Sequence, residues 1–280
     1  MDIKKGKLQL ENNSAYLLTQ ENAKCFETEK IWSGYLSHFL GKTVFARQLL
    51  QLDYDTGRPI ILLWPAEIRP DHSSFELYYN ERMPKYSGSL FGHIAINIKG
   101  TVFNFARKIN EYEMLTEEEY FYRPALGEFG PGNKGRYDVS DPQKPHYDKF
   151  GRRFMRTVHA LRVEGIDAEK LLLIFREIFA KKQQYFVAHP DLENDPRFNF
   201  FSNSCVTPIR NGLFQFGLKN IPGIAPRDFY ANCLRYFSEP AKSKNLKFSA
   251  FTLPQLKVSE APFSRPAWLL NPRSLFSKFL

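Results

Sequence analysis

The chain has 280 residues, 43% hydrophobic and 15% aromatic, and carries a formal net charge of +9. At that length roughly three quarters of the unfolded surface can be buried, so one dominant core is expected, with no need of disulfides or a structural metal. Cys25, Cys205 and Cys233 form no C-x-x-C pair, which excludes a zinc knuckle and a disulfide scaffold, and no cofactor is expected.

From the N-terminus, MDIKKGKLQLENNSAY lacks the apolar core of a signal peptide. The longest apolar runs, Ile60 to Trp64 and Leu171 to Phe175, fall far short of a membrane span. The expectation is a soluble, leaderless chain, cytoplasmic or exported by a leader-independent route, or periplasmic if the sequence was trimmed at Met1. Residues 31–52 have helix-like apolar spacing interrupted at Gly41, which predicts one or two short helices. Arg58 to Trp64 reads as a buried strand stopped by Pro65, and Phe75 to Tyr79 as another.

His93 to Ala106 (HIAINIKGTVFNFA) predicts a hairpin turning at Lys99 and Gly100. The Pro- and Gly-rich stretch 124–153 predicts a long loop, a candidate lid. A strand is expected over Met155 to Val163. Asp167 should then cap a helix from Ala168 to about Tyr185, with Leu171, Leu172, Phe175, Ile178 and Phe179 on one face. The acidic run DLENDP reads as a solvated loop, and FNFFSNSCVTPIRNGL enters a short helix. Cys233 lies within a further apolar helix pattern. The last forty residues, with Lys242, Lys244, Lys247, Lys257, Arg265, Arg273 and Lys278 against Glu260, form the most one-sided basic stretch, read as a surface strip.

Two segments carry chemistry. With a two-residue turn at Lys99-Gly100, paired positions sum to 199, and side-chain alternation sets Asn104 diagonally beside His93. There it can hold the imidazole in the tautomer that leaves the other nitrogen free as a base. A three-residue turn would bring Phe105 to that place instead. Cys205 precedes Pro208, which is tolerated only in a helix's first turn, so the thiol should sit at a helix mouth. Free N–H groups and the dipole there should lower its pKa and could receive an oxyanion. His72 is the runner-up base; His38, His146, His159 and His189 read as ordinary. The Gly-rich GEFGPGNKGR lacks the Ser or Thr that a phosphate-binding Walker loop needs after its Lys.

SLFGHIAINIKGTVFNFA resembles the "fGHxxLri…yNYG" signature of the Lnb N-terminal periplasmic domain family, and SNSCVTPIRNGL resembles that family's "NCxTxxRD" signature. The likeness spans about residues 60–213. It implies an α+β fold of the circularly permuted papain-like (NlpC-type) kind, an antiparallel sheet packed against helices with the nucleophile at a helix N-terminus. It also implies thiol acyl transfer or hydrolysis, akin to lipoprotein N-acyltransferases, with Cys205 as nucleophile, His93 as general base and Asn104 as the orienting residue. Asn203, Ser204, Thr207 and Arg210 would be supporting positions. Ser204 stands where the family has Asn, and Asn211 where it has Asp. The expected organisation is an N-terminal helical segment (1–57), a catalytic domain (58–240) and a basic tail (241–280).

The expected partner is an acyl-bearing substrate, a lipid or lipoprotein among the candidates, with peripheral contact to an anionic membrane through the basic surface. Nucleic acid is not expected, because no interleaving of arginine and aromatic residues of the RNA-recognition type occurs. The alternative reading is an inactive module of the same fold that docks an anionic partner.

Overall fold

The computed structural model describes residues 2–12, 14–28, 33–52, 58–66, 74–83, 90–107, 111–124, 151–189, 191–192, 194–200, 202–239, 246–256 and 263–268. The chain is mixed α+β and built on two antiparallel sheets, in two compact units rather than around the single core expected. The first unit takes residues 1–70, 118–155 and 255–263; the second takes 71–117, 156–254 and 264–280.

In the first unit the strands are β1 (Lys4–Glu11), β2 (Ser14–Thr19), β3 (Lys24–Thr28), β4 (Thr43–Leu52) and β5 (Pro59–Pro65), ordered β3-β2-β1-β4-β5. Three short helices belong here: α1 (Ser33–Phe39), α2 (Glu117–Tyr122, all but its first residue) and α3 (Arg152–Met155). The helical segment expected over residues 1–57 is therefore mostly strand. Residues 43–52 (TVFARQLLQL) contain good helix formers, but β4 pairs with β1 on one side and β5 on the other, and that pairing overrides local propensity. For the same reason the boundary expected at residue 57 falls inside a sheet. Tyr35, Phe39 and Phe154 pack edge-on and tilted at ring separations of 5.1–6.2 Å. The Tyr35 hydroxyl donates to the Leu63 carbonyl and accepts its N–H, at 3.2 and 2.8 Å, which ties α1 to β5.

The second unit holds β6 (Ser74–Asn80), β7 (His93–Ile98), β8 (Thr101–Asn104), β9 (Glu113–Thr116), β10 (Val158–Glu164) and β11 (Lys247–Leu253), ordered β11-β10-β6-β7-β8-β9. Its helices are α4 (Ala168–Val187), α5 (Val206–Phe216) and α6 (Pro226–Ser238). Part of the stretch expected as a basic tail is integral to the fold, since β11 runs the length of β10. Within that stretch, 241–245, 257–262 and 269–280 lie outside the described residues, as do His72, His146 and residues 125–150 of the expected loop.

The central strands β6 and β7 are buried on both faces. One face, with Phe75, Leu77, Tyr79, Ile94, Ile96 and Ile98, joins Phe175 and Phe179 of α4, Ile209 and Leu213 of α5, and Phe229 of α6 in one apolar cluster. Side chains of this size contribute about 1.5–3 kcal/mol each on full burial. Alternation puts Glu76, Tyr78, Asn80, Asn97 and Asn104 on the other face, and all five are buried. Asn97 Nδ2 donates to the Tyr78 hydroxyl at 2.9 Å, that hydroxyl donates to Glu76, and Arg162 Nε reaches Glu76 at 2.6 Å. Among the described residues no helix is long and apolar enough to cross a membrane.

Candidate functional site

The hairpin closes on two residues. Ile98 pairs with Thr101, Asn97 with Val102 and Ile96 with Phe103, while Lys99 and Gly100 both take positive φ (53° and 80°), as a tight hairpin turn of matching twist requires. The three-residue alternative, which would have put Phe105 beside His93, is thereby excluded. His93 opens β7, and Gly92 before it holds φ 74° with the space of its missing Cβ only 2.5 Å from the Asn80 carbonyl oxygen. A larger residue there would push the start of β7 away from β6.

His93 and Asn104 meet as the register requires, with Nε2 2.6 Å from Asn104 Oδ1. Asn104 is 1% exposed, and its Nδ2 donates to the Glu111 carbonyl at 2.8 Å. That second bond decides the amide's orientation: Nδ2 faces a carbonyl, so Oδ1 faces the ring. Nε2 must then carry the proton it donates, and Nδ1 keeps a lone pair.

Cys205 immediately precedes α5, as expected, with Pro208 in the first turn. Its sulfur lies against the start of β7. The backbone amides of Ile94, the residue after His93, and of Cys205 itself favour its ionised form. The expectation of a lowered thiol pKa is overturned. Cys205 is only 9% exposed and belongs to the apolar cluster, and burial pushes the thiol up to about 11, against the pull of the two amides and of the Arg156 and Lys182 charges. The helix-mouth amides are also less open than the sequence suggested. Ser204 Oγ accepts the Val206 N–H at 3.3 Å, and the Thr207 N–H goes to the Ser204 carbonyl at 3.2 Å.

Of the residues expected to support the site, Ser204 and Thr207 meet at this helix start. Thr207 Oγ1 accepts the Ser204 N–H at 3.2 Å and donates to the Ser202 carbonyl at 3.2 Å, so Ser204 and Thr207 cap the helix reciprocally. Asn203 Nδ2 donates to the Arg197 carbonyl at 2.8 Å, and its backbone closes a two-way bridge with Asn199. Arg210 reaches away to the Gly223 carbonyl at 3.1 Å and braces the loop before α6.

One part of the site was missed in the sequence. Asp195, in the run expected to be solvated, has a fully buried side chain held between Lys182 Nζ and Arg197 Nε, each at 3.0 Å. Burial works against its charge, but the bonds from Arg197 and Lys182 outweigh it and leave the carboxyl below its ordinary range. Its backbone N–H donates to the Arg107 carbonyl at 2.9 Å, just beyond β8. The loop leading to Cys205 is thus tied both to α4 and to the strand that carries Asn104. The available signal was weak: an Asp-Pro-Arg sequence shortly before the cysteine.

The other histidines among the described residues have structural partners. His159 pairs with Glu81 at 3.0 Å and stacks on Tyr79, and His189 stacks on Tyr185. His38 packs on Phe39, and burial, with help from Lys42 and Arg153, lowers its pKa to about 4. Cys233 is buried in α6 with its thiol pushed up by desolvation, and Cys25 is half-buried in β3. Comparison of the chain with protein-family models, with curated proteins and with solved structures found no match.

Proposed function

We propose that the six-stranded unit is a thiol acyltransferase or hydrolase of the circularly permuted papain-like kind, with Cys205 as nucleophile, His93 as general base and Asn104 as the orienting residue. The observation that supports the reading is that His93, held by Asn104 with Nδ1 as its basic nitrogen, is followed directly by Ile94, whose backbone amide bonds to the Cys205 sulfur. A buried thiol pushed up to about 11 is protonated at neutral pH, so the proton leaves during attack rather than beforehand.

In that step Nδ1 takes the thiol proton as the sulfur bonds to an ester, thioester or amide carbonyl carbon. The amides of Ile94 and Cys205, which converge on the sulfur, are the donors available to the oxyanion. Collapse breaks the bond to the leaving group, which takes the proton from the imidazolium, and an acyl-enzyme remains. Water as acceptor makes the protein a hydrolase; an amine makes it a transferase. The basic, aromatic-rich chain suits a lipid-bearing substrate, and peripheral contact with an anionic membrane would deliver one.

The burial of Cys205 also favours a second reading, an inactive module of this fold that docks an anionic partner. A thiol-directed acyl probe separates the two. Labelling of the wild-type protein at Cys205, abolished in Cys205→Ala and reduced about 10²–10⁴-fold in His93→Gln with both variants folded, is the enzyme's signature. Absence of labelling in the wild-type protein, or its persistence in Cys205→Ala, would remove the enzyme assignment.

A further inference from the structure

The segment from Ser264 to Ala267 lies across the end of β6 and the start of β10 as a short strap. Ser264 Oγ accepts the Thr157 N–H and donates to Glu81 Oε2, both at 2.8 Å. Arg265 and Arg82 exchange backbone bonds of 3.0 and 2.9 Å. Ala267 is fully buried; its N–H donates to the Tyr79 hydroxyl at 2.9 Å, and its carbonyl accepts from Arg227 Nη1 at 2.5 Å. The next residue, Trp268, is 75% exposed, and the Arg82 guanidinium lies 5.9 Å from the centre of its ring. Because the residue before it is anchored through both backbone groups, the tryptophan is held outward by the fold rather than left in water by a fraying end. A large aromatic side chain presented this way beside arginines marks a contact surface.

We infer that this strap is the docking surface for a lipid bilayer with anionic headgroups, with Trp268 entering at headgroup level and Arg82 and Arg265 meeting the phosphates. Arg265 is exposed, as that role requires. The amino-acid sequence from the strap onward has the matching chemistry. Residues 264–280 carry Arg265, Arg273 and Lys278 and no acidic residue, and seven of the seventeen are Trp, Leu or Phe. Cations are drawn to the surface charge of such a bilayer, and an indole, apolar in its body and polar at its N–H, suits the boundary between headgroups and acyl chains. An acidic peptide would satisfy the arginines but give the tryptophan and leucines no apolar medium. The inference gives a place to the membrane contact proposed above and rests on that contact, not on the chemistry at Cys205.

The test is co-sedimentation of the full chain with vesicles of phosphatidylcholine mixed with phosphatidylserine, against vesicles of phosphatidylcholine alone. The wild-type protein should partition onto the anionic vesicles, and less so as salt is raised. Trp268→Ala should weaken partitioning about tenfold and Arg265→Gln about fivefold, with melting temperatures unchanged because both side chains face solvent. Lys247→Gln removes the same charge at the far end of β11, where Lys247 pairs with Glu164, and should stay within about twofold of wild type. Wild-type protein left in the supernatant, unchanged binding by Trp268→Ala, or a loss in Arg265→Gln no greater than that in Lys247→Gln overturns the inference. Retention on poly-glutamate beads without retention by vesicles also overturns it and identifies an acidic peptide as the partner. Acyl-probe labelling is read in buffer without vesicles, so failure of either experiment leaves the other reading in place.

Discussion

In the five-stranded unit Arg47 sits between Glu118 and Glu119, at 3.4 and 2.8 Å; in the six-stranded unit Asp195 sits between Lys182 and Arg197. Both clusters pin a segment to its sheet or helix, and both hold a central charge that water barely reaches. They differ in the sign of the central charge. The first surrounds a cation with carboxylates and binds α2 to β4, far in role from any nucleophile. The second surrounds a carboxylate with cations and ties the loop before Cys205 to α4. Buried ion pairs add little net stability over well-packed apolar residues, so the sign and location of such a cluster say more than its existence.

Breaking the two clusters should separate them. Asp195→Ala leaves Lys182 buried without its carboxylate and should cost about 3–5 kcal/mol in urea unfolding, with loss of acyl-probe labelling even where the protein remains folded. Arg47→Ala should lower stability too but leave labelling at Cys205 unchanged. Equal loss of labelling in both variants would mean that the clusters do not differ in function.

Smaller truncations sharpen the contrast. Asn104→Ala deprives both the His93 ring N–H and the Glu111 carbonyl of a partner, and should cost about 1–3 kcal/mol while slowing labelling by an order of magnitude or more. Wild-type labelling in a folded Asn104→Ala protein would show that the ring needs no orienting partner. In the other unit, Tyr35→Phe removes both bonds to Leu63 and should cost about 1–2 kcal/mol in thermal unfolding, with no effect on labelling.

These contrasts also mark what the amino-acid sequence could tell. The hairpin register was readable because Lys99-Gly100 is a local signal, and Asn104 followed by counting. The start of α4 was readable because Asp167 accepts the Lys170 N–H at 3.0 Å, a cap visible in sequence. The N-terminal meander was not readable. Leu49, Leu50 and their neighbours suit a helix until the start of β4 is paired between β1 and β5, and no local pattern announces that. Asp195 was hidden for a related reason, since an aspartate in a polar loop is ordinarily solvated and its two cations come from elsewhere in the fold. Cys205 was placed correctly at its helix mouth. Its protonation was misjudged because burial by the surrounding helices and sheet, not the dipole of α5, dominates the sulfur.

The amide of Ile94 connects these observations. It belongs to the strand that His93 opens, and it points toward the Cys205 sulfur, so it registers what the sulfur carries. Under the proposed acyl-enzyme reading, an acyl group on the thiol would change the acceptor that this backbone proton sees. On that reading, the Ile94 amide would serve as a built-in spectroscopic gauge, a resonance whose position would follow the loading and unloading of the thiol without any added label.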